Sequence, residues 1–409
     1  MRRQSDHAVN QQTKVSPFAA WRRRQLGISD TSYDENEVAA TLNLARVALE
    51  TGDFEAATAH AEKILHIAKR GSDLAANAQL ILIKMKTRQG MFAGLVDELE
   101  ALLAKSHKVS SGTQASIGNE IVRICHRSGN LGFGAQRGEE LLRDYSDRWP
   151  DSEVVELLCQ IAACHFFRGD TERAEELVNR ALKLAEKCKE PKPFAQSYWQ
   201  LSMLSIGRGD MTLSLSHTSE AQRWAKLAEM NQILPALNLN AAAILLELPS
   251  PDLARIHELA EAAYLELTAQ NHPGVAAYAC VTLSEVELRR SNFVGAHEHA
   301  DRGLTELPQE IPGPRASLYI QKAKILARTG DYVQSEAQAN IAVEIMRDME
   351  PSKYLATSWG HLARVFVEIG LADRGVYAYE QALQVAGVVR EEPEEKAEEE
   401  SHSFTSNKV

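Results

Sequence analysis

The stretch Ser128–Glu140, SGNLGFGAQRGEE, places glycines at 129, 132, 134 and 138. Glycines at that density let backbone N–H groups close around a phosphate, provided a strand leads into the loop and a helix leads out. No strand-like alternation precedes Ser128, so the context for a nucleotide loop is missing. Two other clusters carry metal-ligating types. In His297-Glu298-His299-Ala300-Asp301 the histidines are two apart, so a helix turns them to different sides and solvated helix polarity explains them better. Cys159, Cys164 and His165 lie close together, but packing along a helix accounts for them better than a metal does. The patterns GxxxxGK[ST], HExxH and GxSxG do not occur. The expectation is a protein that is not an enzyme and uses no metal or cofactor.

Composition points the same way. The 409 residues carry a net charge of −11, which denies the body the basic footprint of a non-specific DNA binder. Hydrophobic residues make up 44% and aromatics only 6%, so alanine and leucine supply the core, as long helices prefer. Five cysteines, an odd number without a CxxC pair, read as reduced core residues of a cytoplasmic protein. The longest apolar run, Ala241–Leu246, is far too short for a membrane span. Residues 1–36 form a basic leader, expected to be disordered; a docking arm for nucleic acid or an acidic partner is the alternative, and its arginines faintly resemble a transit peptide. Residues 389–409, with the run EEPEEKAEEE, are expected to be an acidic disordered tail.

Between these ends one unit recurs. A turn signal is anchored at Gly52, Gly90, Gly129, Gly169, Gly209, Pro251, Ser291, Gly330 and Gly370, each 38 to 42 residues from the last. The glycine ends one helix in the left-handed conformation, and the Asp or Asn that follows in most copies caps the next. Seven residues before each anchor stand Ala45, Ile83, Val122, Ala162, Ser202, Ile244, Ser284, Ala323 and Ala363. Five residues after it stand Ala57, Leu95, Gly134, Ala174, Ser214, Ile256, Ala296, Ser335 and Gly375. Most are small, as two helices need where their backbones approach. The unit is therefore a helical hairpin. Gly129 is its joint glycine, Gly134 and Gly138 are small contacts, and only Gly132 is left without a role. Arginines at the ends of first helices, among them Arg88 and Arg127, complement the helix dipole and need no further function.

This pattern resembles the tetratricopeptide repeat, in WGHLARVFVEIGLADRGVYAYEQAL (Trp359–Leu383) and in LNLARVALETGDFEAATAHAEKIL (Leu42–Leu65). The family's period of 34 is exceeded here, which implies longer helices or linkers. The resemblance implies an all-α protein, a right-handed α-solenoid of about nine hairpins over residues 37–388. In that family the first helices line a concave groove, with positions six before the anchor facing into it. Arg46, Lys84, Arg123, Ala163, Met203, Leu245, Glu285, Lys324 and Arg364 take those places, joined by Trp199 and the amides Asn43, Asn77, Asn119, Gln160, Gln200 and Asn238. A peptide or protein tail with acidic groups is the implied partner, its backbone held by the amides. SYWQLSMLSIGRGD (Ser197–Asp210) and the last two repeats resemble the sensor half of actinobacterial helix-turn-helix–tetratricopeptide regulators. With 36 residues ahead of the array, direct DNA binding is not expected. The alternative is a structural assembly subunit that binds through its convex face or termini. Because the tail contributes no apolar residues to the repeat pattern, deletion of residues 391–409 should leave the melting temperature nearly unchanged in a thermal scan.

Overall fold

A computed structural model describes residues 35–387 apart from 70 and 106–108, so the basic leader and acidic tail lie outside the described residues. The described residues form an all-α solenoid without a strand. Eighteen helices pair into nine hairpins: α1 Glu35–Thr51 with α2 Phe54–Ile67, α3 Asp73–Arg88 with α4 Leu95–Ala104, α5 Ser111–Ser128 with α6 Leu131–Tyr145, and α7 Asp151–Arg168 with α8 Thr171–Cys188. Then come α9 Pro191–Gly207 with α10 Met211–Leu227, α11 Leu234–Leu246 with α12 Leu253–Ala269, α13 Pro273–Arg289 with α14 Phe293–Glu306, α15 Pro312–Thr329 with α16 Tyr332–Arg347, and α17 Lys353–Glu368 with α18 Ala372–Val385. No helix among these is long and apolar enough to cross a membrane.

The joints follow the local chemistry. Every anchor glycine has positive φ, and Ser291 takes the same region at 60°. Asp53, Asp170, Asp210, Asp252, Asn292 and Asp331 each cap the following helix through the side chain. All eighteen small-position residues flanking the joints are buried, Ala45, Ala57, Ala174 and Ala363 completely. At three crossings the backbones come close enough for a serine to bond the partner helix: Ser214 Oγ donates to Ser202 O at 3.0 Å, Ser284 to Ala296 O at 2.9 Å and Ser335 to Ala323 O at 2.8 Å.

Two repeats depart from the unit. In the second, Met91–Gly94 form a loop, so α4 starts late, and Leu95, Leu99 and Leu103 form its buried stripe. In the sixth, a 3-10 turn at Asn231–Ile233 precedes α11. Beside it the core thins to Ala195, Ala221, Ala225 and Leu237. Ser202, Ser214, Thr218 and Asn240 form a hydrogen-bonded polar knot there, between the larger apolar cores of repeats two to five and six to eight.

The solenoid also closes on itself. Asn271 Nδ2 donates to Gly52 O at 2.7 Å, and the Glu350 carboxylate accepts from the N–H groups of Leu131 at 2.6 Å and Gly132 at 2.8 Å. Both pairs lie about 219 residues apart, more than five repeats along the chain. Ile311 packs against Gly90, and Phe92 touches the cores of both superhelical turns. Lys353 bonds Thr171 Oγ1 at 2.7 Å and lies 4.4 Å from the centre of the Phe166 ring. Each contact sets a hairpin joint of the first turn against an inter-repeat loop of the second. The unassigned Gly132 finds its role here: α6 receives no side-chain cap from Asn130, and a distant carboxylate takes its N-terminal N–H groups instead.

Gly52 and Gly169 separate joint from seam. Both hold positive φ, but a Cβ at Gly52 would sit 2.5 Å from Ala269 O, whereas nothing lies within 4 Å at Gly169. Gly169→Ala should lose only the left-handed backbone cost, about 1–2 kcal/mol. Gly52→Ala should lose on the order of 1–3 kcal/mol more through the forced seam clash. Equal losses in urea melts would show that the seam contributes nothing to stability.

The concave face as candidate functional site

First helices pack side by side along the array, α3 on α5, α5 on α7, α13 on α15 and α15 on α17. The candidate residues therefore come mostly onto one curved face, but many of them are engaged there. Arg46 donates to Asn77 Oδ1 at 2.9 Å, and Asn77 donates to Thr113 Oγ1 at 2.8 Å. Asn119 donates to Glu153, and its buried carbonyl oxygen has no partner. Arg123 bridges Glu120 and Glu156 and keeps only 21% of its side-chain surface. Lys324 pairs with Glu285. Asn238 accepts from Gln222 of α10 at 2.9 Å, so it faces a neighbouring second helix and not the groove. Among the described residues Asn43, Lys84, Gln160, Gln200 and Arg364 have no hydrogen-bond or ion-pair partner. Trp199, Met203 and Leu245 are half-buried.

Of the acids that occupy the groove cations, Glu285 stands at a position read from the repeat, whereas Glu120 and Glu156 escaped the sequence reading. Burial pushes the Glu156 carboxyl up, but Arg123 and Lys192 outweigh it and hold the group far below the usual carboxylate range. Glu120 is held down in the same way by Arg123, Lys84 and Arg127, and Glu285 by Lys324. Glu153 and Glu156 share Lys192, at 3.2 and 2.8 Å. The signal for Glu120 was local, a carboxylate three residues before Arg123 on one helix. The signal for Glu156 and Lys192 was not, because those residues arrive from neighbouring helices.

Three histidines sit in the opposite situation. Burial, then Arg127 and Arg123, bring His126 down to about 4. Burial, then Lys324 and Arg364, bring His361 down to about 4. Burial, then Arg127 and Arg88, bring His272 down to about 2. Lys84 and Arg88 are also lowered, chiefly by burial.

Other clusters offer less. Cys159 and Cys164 are buried, and burial raises both thiols to about 12, so they are inert as nucleophiles. His299 Nδ1 accepts from Arg302 at 3.0 Å, beside the His257 ring. No group of three metal-ligating side chains forms among the described residues.

A family model for the tetratricopeptide repeat matches residues 38–63, within the first hairpin. No curated protein matches the sequence. Among solved structures, a Rap protein complexed with competence and sporulation factor is similar at 14% identity, over 87% of this chain and 99% of that one, with a TM-score of 0.58. NprR in complex with its cognate peptide NprX is similar at 9% identity, over 87% and 89%, with a TM-score of 0.51. At these identities the likeness is one of fold, a tetratricopeptide-type solenoid.

The titrating groups set a pH dependence. A histidine with a depressed folded pKa costs stability as pH falls from about 6.5, where the unfolded chain takes up the proton first. His126 and His361 should therefore begin to weaken the fold below about pH 6.5 and finish near pH 4. The depressed carboxylates contribute stability that is complete above about pH 4.3 and is lost below it, as pH falls toward their folded values. The melting temperature should decline in two stages, and His126→Phe should shrink the first stage alone. Thermal scans between pH 8 and 3 test both parts.

Proposed function

We propose that the protein is a non-enzymatic binding scaffold whose concave face holds an extended peptide or the tail of a protein partner. The observation that carries this is the collection of unpartnered polar side chains on one curved surface, Asn43, Lys84, Gln160, Gln200 and Arg364, beside the half-buried Trp199 and Met203. Backbone groups of a peptide need both donors and acceptors, which amides supply, and an apolar side chain needs a desolvated wall. The two solved structures sharing the fold are described with a bound factor and a cognate peptide, which favours the same use here. An acidic ligand would meet Arg46, Lys84 and Arg364, since Arg123 and Lys324 are held by the protein's own carboxylates. On this reading the protein acts in the cytoplasm as a regulatory sensor, passing ligand occupancy to another protein.

Mass spectrometry of material that co-purifies with the native protein should identify the ligand. Trp199→Ala and Gln160→Ala should each weaken binding of that ligand about tenfold, a loss of roughly 1.4 kcal/mol. Deletion of residues 391–409 should leave binding unchanged. Wild-type affinity in both channel variants, with loss on tail deletion, would place binding at the termini and favour an assembly subunit.

A further inference from the structure

The seam gathers cations that form no ion pair with any carboxylate among the described residues. Arg88 Nη1 donates to Leu49 O in the last turn of α1, and Asn271 Nδ2 donates to Gly52 O one residue beyond that helix. Those two bonds bring Arg88 and the neighbouring His272 to the same helix end, from opposite superhelical turns. Arg127 stands one helical turn beyond Arg123 on α5, and Arg88 one turn beyond Lys84 on the adjacent α3. Lys84, Arg88 and Arg127 have no carboxylate within ion-pair distance among the described residues. Glu120 lies within electrostatic reach of all three, but its carboxylate is taken by Arg123; Glu156 and Glu153 reach Lys84 but are paired with Arg123 and Lys192, and Glu50 reaches only Arg88. Arg127 is open to solvent, so a small ion can reach it.

We propose that Arg88, Arg127 and His272 form a binding site for an oxyanion at the inner seam, where the two superhelical turns meet. Two guanidinium groups supply fork-shaped donors matched to carboxylate or phosphate oxygens. His272, held neutral in the free protein, supplies an imidazole N–H from the opposite turn, so the anion is gripped from both sides. Arg127 and Arg88 both lie within electrostatic reach of His272 and, after burial, are what hold its imidazole low. The α-helix dipole explains one arginine at one helix end; it does not explain arginines at two neighbouring helix ends with a histidine from an inter-repeat loop of the other turn beside them. The inference rests on the concave face being the ligand-bearing surface, but not on the ligand being a peptide.

The test uses simple ions on the full chain. Thermal scans in sodium sulfate and in sodium acetate are compared with sodium chloride at equal ionic strength. Sulfate stabilises many proteins by exclusion from their surface, so the informative quantity is the increment lost in variants. Arg127→Gln and His272→Gln should each lose most of the sulfate increment, while Arg143→Gln on the outer face should keep it. An increment in sulfate alone assigns a phosphate-type group; an increment in acetate as well assigns a carboxylate. In a histidine-selective NMR titration, sulfate should raise the His272 pKa by at least about one unit. Equal increments in wild type and Arg127→Gln, with an unmoved His272 resonance, would overturn the site. Peptide binding by the concave face could then still stand, because its variants are different residues.

Discussion

The crossing of two helix backbones at each hairpin is the constraint on which the rest depends. Small residues seven before and five after each joint allow it, and at three crossings a serine hydroxyl reaches the opposite carbonyl. Large side chains there would spread the hairpin and change the angle at which the next one stacks. Nine such angles accumulate into the curvature of the solenoid. Curvature in turn decides whether a loop near residue 271 arrives at the joint near residue 52. A local packing rule thus sets a contact between residues far apart in sequence.

Legibility in the sequence follows this difference in range. Joint glycines, caps and small contacts are decided within a few residues, so the nine hairpins could be read from the chain. The seam could not, because Glu350 and Gly132 have no neighbourhood in common. Asn130 had every mark of an ordinary cap, yet α6 is capped from the other superhelical turn. Asn238 was misdirected for a related reason. Its amide oxygen is taken by Gln222, which arrives from α10 and has no neighbourhood in common with it.

The concave face shows the same limit in its electrostatics. Arg123 and Lys324 stand where the repeat pattern put them, but neighbouring helices bring Glu120, Glu156 and Glu285 to meet them. A buried charge left alone is costly, and a buried pair adds little net stability while fixing geometry well. The paired groups are therefore better understood as the frame of the inner surface. The side chains left without a hydrogen-bond or ion-pair partner, Lys84, Gln160, Gln200 and Arg127, are the ones with bonding capacity to offer.

Closure of the seam has a consequence for how such a molecule can change over evolutionary time. Repeat arrays ordinarily lengthen or shorten by duplicating or deleting a unit, because each unit answers only to its neighbours. Here one added hairpin between the fourth and sixth would shift Glu350 away from Leu131 and Asn271 away from Gly52 together. Every inter-turn contact would fall out of step at once, and so would the arginines and histidine that face each other across it. Point substitution remains available to this lineage, but a change in the number of units does not.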